Sequence, residues 1–214
     1  MIYLTGSTKG GAGKTTTGVN LAAELACSGR DVLVVDGDRQ GTALTAISLR
    51  LAAERVPGIA VAQYVDGKAL RGQVLQQRDK YDDIVIDAGG HDSTALRAAL
   101  MLCDVLVMPF QPRSFDVWAL EDMSNLLSEA RAVREDSFPA YAFLNMADPD
   151  SRSTDNVDAA AAVADWPELQ LLDVSLYRRK AFANAASLGL SVTEMRPRDR
   201  KACDELRALI SAVS

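Results

Sequence analysis

No apolar run in this chain approaches the ~18 residues that a membrane-crossing helix needs, so a transmembrane protein is excluded. Cysteine is scarce: Cys27, Cys103 and Cys203 are three, far apart, with no C-x-x-C pair, and the chain has one histidine. That pattern fits neither a disulfide framework nor a structural zinc site. The thiols are expected to be reduced and mostly buried, in the cytoplasm. No secretory leader is expected either, because Met1-Ile2-Tyr3-Leu4-Thr5 runs straight into a glycine-rich stretch with no charged segment before it. Positive charge is short: the formal net charge is −6 and the pI about 4.9, which on overall balance argues against nucleic acid as a partner. What is present is 48% apolar and 24% charged residues, the make-up of a soluble globular protein and not of a disordered or collagenous one. The 214 residues suit a single domain over 1–214.

Short β-branched runs alternate with longer amphipathic ones. Strands are expected at Ile2–Thr5, Val32–Val35, Ile84–Ile86, Val105–Met108, Ala140–Leu144 and Leu171–Val174. Their continuous apolar character, without period-2 alternation, predicts strands covered on both faces. Helices are expected over Lys14–Ser28, Thr42–Ala53, Ala69–Arg78, Ser93–Leu102, Phe115–Arg134, Asn156–Ala164, Arg178–Ser187 and Arg198–Val213. Gly29 stands where a left-handed residue closes the first helix. The expected fold is therefore α/β: a mostly parallel sheet with helices on both faces and ligands at the carboxyl ends of the strands.

The stretch Ser7-Thr8-Lys9-Gly10-Gly11-Ala12-Gly13-Lys14-Thr15-Thr16 lies between an expected strand and an expected helix. That is the setting of a phosphate-binding loop. Glycines let successive N–H groups turn inward around an anion, and the helix N-terminus adds partial positive charge. Lys14 would reach the β- and γ-phosphates, and the Thr15 hydroxyl would ligate Mg2+. The strict G-x-x-x-x-G-K-[ST] pattern fails, since its first glycine falls on Thr8. A second lysine, Lys9, stands before the glycine pair, more cationic charge than a lone triphosphate site requires. It points to phosphate held by a neighbouring subunit, with a solvated surface lysine as the plainer alternative.

Lys9-Gly10-Gly11-Ala12-Gly13-Lys14-Thr15-Thr16 resembles the deviant Walker A signature of the ParA/MinD class of P-loop ATPases. The resemblance extends along most of the chain. Val34-Val35-Asp36-Gly37-Asp38-Arg39-Gln40-Gly41 is similar to the family's Walker A′ segment, and Tyr81-Asp82-Asp83-Ile84-Val85-Ile86-Asp87 to its Walker B strand. Within the class it looks most like the short ParA-type partition ATPases without an N-terminal DNA-binding extension. Two departures stand out: Arg39 where the family usually has proline, and Ala88-Gly89-Gly90 in place of a proline-rich turn.

Asp87 ends an apolar run, so its charge needs a partner, and a magnesium-bound water suits it; a strand-end turn is the alternative. Asp36 and Asp38, two residues apart beyond a strand, can face different ways. The resemblance implies that Asp36 lies near the magnesium shell and Asp38 orients the attacking water; a helix N-cap is the other reading of Asp38. It also implies an ATP-bound homodimer with slow hydrolysis, in which Lys9 acts across subunits as an arginine finger does elsewhere. Asn145 stands where the family often contacts adenine, although a turn-forming asparagine fits equally. His91 reads as a polar loop residue more than a base, and Phe115 and Trp118 as packing or dimer surface.

Charge is unevenly spread. From Arg178 to Lys201 there are Arg178, Arg179, Lys180, Arg196, Arg198, Arg200 and Lys201 against Glu194 and Asp199, seven minus two or +5, which leaves −11 on the rest. Such asymmetry predicts a footprint for the backbone of duplex DNA, without base reading and sensitive to salt; a solvated helix face is the alternative. The leading expectation is a DNA-partition ATPase, nucleoid-associated when ATP-bound and working with a centromere-binding adaptor. A variant positions a non-DNA cargo with the same cycle. A MinD-type membrane regulator fits less well, because the C-terminal segment is short of positive charge and aromatics.

Overall fold

The computed structural model describes residues 1–150 and 153–214, with the side chains of residues 114–117 outside the description. Seven strands form one parallel sheet: β1 (Ile2–Ser7), β2 (Val32–Asp36), β3 (Ala60–Gln63), β4 (Asp83–Gly89), β5 (Val105–Phe110), β6 (Ala140–Ala147) and β7 (Gln170–Tyr177). Their order is β3-β2-β4-β1-β5-β6-β7. The helices are α1 (Lys14–Cys27), α2 (Thr42–Ala52), α3 (Gly67–Gln77), α4 (Thr94–Leu100), α5 (Ser114–Val133), α6 (Thr154–Ala162), α7 (Lys180–Ala186) and α8 (Arg200–Val213).

Alternate strand residues sort into two cores, as the pleat requires. Leu4, Val35, Ile84 and Ile86 join Leu70, Leu96, Leu120 and Leu127 on the face covered by α3, α4 and α5. Tyr3, Val34, Val85 and Val107 join Leu21, Ile47, Phe182 and Leu206 on the face covered by α1, α2, α7 and α8. The apolar side of α8 (Ala202, Cys203, Leu206, Leu209, Val213) is thus part of the core. Among the described residues, no helix is long and apolar enough to cross a membrane. Cys103 and Cys203 are buried, Cys27 is exposed, and none is bonded to another.

Six of the seven strands match the sequence expectation, and β3 is the addition. It is a four-residue edge strand, half-buried throughout, with Val61 its one β-branched residue. Pairing to Leu33–Asp36 defines it, more than its own composition. β4 runs three residues past the expected Ile86, because Asp87, Ala88 and Gly89 continue in register with Thr5, Gly6 and Ser7. α7 and α8 each begin two residues later than expected. Asp199 caps α8 by accepting from the Ala202 N–H, and Gly29 at φ +91 closes α1 as anticipated.

Candidate functional site

The order of winding reverses at β1, whose neighbours are β4, leading on to β2, on one side and β5 on the other, all of them parallel. The carboxyl ends of these strands form the crevice where a doubly wound sheet binds ligands. The glycine-rich loop leaves β1 at Ser7 and enters α1 at Lys14, with Gly11 and Gly13 at φ +82 and +98. These values lie in the left-handed region that side chains other than glycine's resist. Added Cβ atoms at Gly10 and Gly11 would meet nothing within 4 Å, whereas at Gly13 one would fall 2.0 Å from Asn145 Nδ2. The loop is therefore open on its outer arc and tightly held where it joins the helix.

Two carboxamides hold it. Gln111, just past β5, donates from Nε2 to the Gly11 carbonyl at 2.6 Å. Asn145 donates from Nδ2 to the next carbonyl, that of Ala12, at 2.7 Å. Both side chains are buried. Asn145, expected as an adenine contact or a turn former, thus has its amide engaged with the loop. Gln111 escaped the sequence reading; the one signal for it was its place directly after a central apolar strand.

Lys14 is buried, and its Nζ donates to the Lys9 carbonyl at 2.8 Å. Burial lowers its ammonium pKa, while the carboxylates of Asp87 and Asp38 oppose that shift. The Thr15 hydroxyl donates to Asp87 Oδ2 at 2.6 Å, and Asp87 stands beside Asp36 in the β2–β4 register and beside Thr5 in the β1–β4 register. Burial pushes Asp87 up to about 7, against the Thr15 hydrogen bond that favours its ionised form. Asp36 is fully buried, and its two oxygens accept the N–H groups of Asp38 and Leu44, both at 2.9 Å. Desolvation raises its pKa and those N–H groups counter the shift. Asp36 thereby fixes the turn from β2 into α2. The helix N-cap is Gly41, so Asp38 is not the capping residue; its Oδ1 accepts from the Gln40 N–H at 3.0 Å.

Asp38, Arg39 and His91 line one cavity of about 410 Å³ with Gly37, Gly89 and Thr94. Gly89, from the Ala88-Gly89-Gly90 turn, forms part of its wall. Gly89 has φ +118, a Cβ there would fall 2.3 Å from the Ser7 carbonyl, and the Gly90 N–H donates to that same carbonyl at 2.8 Å. Among the described residues, no group of three or more His, Cys, Asp or Glu is arranged to hold a metal. The donor set fits a Mg2+ that takes most of its ligands from phosphate and water, with Thr15 and Asp87 at hand. Trp118 is exposed, and the Phe115 side chain lies outside the described residues.

The basic residues divide. Arg196, Arg198 and Arg200 line one groove of about 560 Å³ together with Cys203, Asp204 and Arg207, the last beyond the stretch singled out from sequence. Arg196 and Arg198 both donate to the Thr193 carbonyl, which gathers them. Arg178, Lys180 and Lys201 are exposed outside that lining. Arg179 is committed elsewhere: its Nη2 and Nε reach Glu205 at 2.7 and 2.9 Å, and it is only partly exposed.

The family described as the CobQ/CobB/MinD/ParA nucleotide binding domain matches residues 3–192. The chain belongs to this family. Maintenance of carboxysome distribution protein A from Halothiobacillus neapolitanus is 29% identical over 208 residues, 96% of this chain and 92% of that protein. The protein of the same name from Gloeobacter kilaueensis is 32% identical over 90% of this chain and 84% of its own. Among solved structures, a Cyanothece McdA–ATP complex superposes with a TM-score of 0.78 at 16% identity, covering 100% of this chain and 96% of that one. The family fold is thus that of the ParA/MinD class of P-loop proteins, in agreement with the resemblance read from residues 9–16.

Proposed function

We propose that this protein is a Mg2+-dependent ATPase of 1–214 that forms a nucleotide-sandwich homodimer and positions a cargo over DNA. The observation that carries the reading is the Lys14, Thr15 and Asp87 constellation at the mouth of the glycine-rich loop. In this reading Lys9, Gly10, Gly11, Ala12, Gly13, Lys14, Thr15 and Thr16 bind the phosphates. Lys14 releases the Lys9 carbonyl to meet them. Thr15 and Asp87, with Asp36 behind them, hold Mg2+, which when bound neutralises charge on the phosphate oxygens. Asp38 aligns the attacking water, and Lys9 of a second copy adds the cation that one chain lacks.

The groove of Arg196, Arg198, Arg200 and Arg207, extended by Arg178, Lys180 and Lys201, binds duplex DNA without sequence preference. The relatives named for carboxysome distribution, matched over nearly the full chain, favour a protein assembly as the cargo. A DNA cargo with a centromere-binding adaptor is the second reading. It is supported by 32% identity over 64% of this chain to the chromosome-partitioning ATPase Soj of Thermus thermophilus. Either way the protein works in the cytoplasm, on the nucleoid when ATP is bound. Burial of the apolar side of α8 speaks against a membrane-docking role for that helix.

ATP turnover with and without duplex DNA tests the reading. Lys14→Ala is expected to abolish turnover. Lys9→Ala should bind nucleotide without hydrolysing it, and Asp38→Ala should still dimerise on ATP. Wild-type turnover by Lys9→Ala would reject the cross-subunit role, and absence of any turnover in wild type would reject the ATPase.

A further inference from the structure

We propose that Gln111 is a positioning residue of the phosphate site, presetting the loop for the anion before any ligand arrives; the inference rests on the nucleotide-binding reading above. The argument starts from the peptide unit. In a planar trans peptide the N–H points opposite to the C=O. The Gly11 carbonyl is held by Gln111 Nε2 and the Ala12 carbonyl by Asn145 Nδ2, at 2.6 and 2.7 Å. Those two peptides carry the N–H groups of Ala12 and Gly13. Fixing the carbonyls toward the ends of β5 and β6 therefore turns both N–H groups to the opposite side of the loop.

Two successive amides aimed the same way make an anion-binding concavity. Glycine at 11 and 13 makes the required left-handed turns available but does not select among them. The carboxamides do the selecting. Gln111 can serve only in one orientation, since its flipped amide would set Oε1 against the Gly11 carbonyl. That orientation leaves Oε1 buried with no hydrogen-bond partner among the described residues. Buried polar side-chain atoms are normally satisfied, so an orphan acceptor marks a side chain kept for what its donor does.

The test separates the donor from the packing. Gln111→Met keeps the length of the side chain, removes the donor and removes the orphan acceptor. Its melting temperature without nucleotide is expected to equal or exceed that of wild type, while its affinity for a fluorescent ADP falls about tenfold, the worth of one well-placed hydrogen bond. Gln111→Glu, which sets an anion against the Gly11 carbonyl, should bind ADP more weakly than Gln111→Met. A Gln111→Met protein with wild-type ADP affinity overturns the proposal. So does one that melts far below wild type without nucleotide, because Gln111 is then a packing residue. Wild type that binds no ADP at all refutes the nucleotide-site reading itself, and this inference with it.

Discussion

The Thr15 hydroxyl donates a 2.6 Å hydrogen bond to Asp87 Oδ2, tying the first turn of α1 to the end of β4. Burial nevertheless raises Asp87 to about 7, far above the ~3.9 of an exposed aspartate. In the folded metal-free protein the carboxyl thus keeps a proton that the unfolded chain has already released. Stability from this group is full below about pH 4 and is lost as pH rises through 7, a change of a few kcal/mol. Melting of the metal-free protein between pH 5 and 8 should therefore decline more steeply in wild type than in Asp87→Asn. Parallel curves would show that Asp87 does not titrate there.

Gly89 and Gly90 both have positive φ, but only one is crowded. Gly89→Ala sets a Cβ 2.3 Å from the Ser7 carbonyl, whereas Gly90→Ala meets nothing nearer than Asp38 Oδ2 at 3.7 Å. The first substitution combines steric and dihedral strain and is expected to cost more than ~2 kcal/mol. The second carries dihedral strain alone, about 1 kcal/mol. Chemical denaturation gives the order, and equal losses would refute it.

Arg50 is almost completely buried. Its guanidinium donates to the Pro57 and Gly189 carbonyls and to both oxygens of Glu194, at 2.8 and 3.0 Å. Removing one side of such a pair leaves an uncompensated charge, so Glu194→Ala should destabilise by ~3 kcal/mol or more. Replacing both, Arg50→Met with Glu194→Leu, should be milder than the single change. Thermal melts of the three variants check the ordering.

Arg196→Ala with Arg198→Ala should weaken retention on duplex DNA and lower the salt slope by about two, leaving nucleotide affinity unchanged. Arg179→Ala behaves differently because Glu205 already occupies it. It should lower the melting temperature and leave the salt slope near wild type. A filter-binding series over several salt concentrations distinguishes the two; unchanged retention in the double variant would remove the groove from the DNA footprint.

The parallel sheet was legible in the sequence because its inner strands are continuous apolar runs, a pattern set by helices on both faces. β3 was not, since Ala60-Val61-Ala62-Gln63 is half-buried and acquires its identity from β2. Lys14, Thr15 and Asp87 were legible through their order in the chain, and the structure brings them together. Gln111 could not be found that way: its place after a central apolar strand is shared by many loop residues, and its partner is a carbonyl 100 residues away. Arg179 shows the converse. Charge counting assigned it to an outer surface, and a glutamate on α8 had already claimed it.

α2 is held at both extremities by different neighbours. Near its start Asp36 grips the Leu44 N–H from the end of β2, and near its finish Arg50 clasps Glu194, two positions before Arg196. Eleven residues of helix make a rod of roughly 16 Å that does not compress. With one anchor at each extremity, the helix stays located when either is loosened alone, and only loss of both should let the rod drift off the sheet.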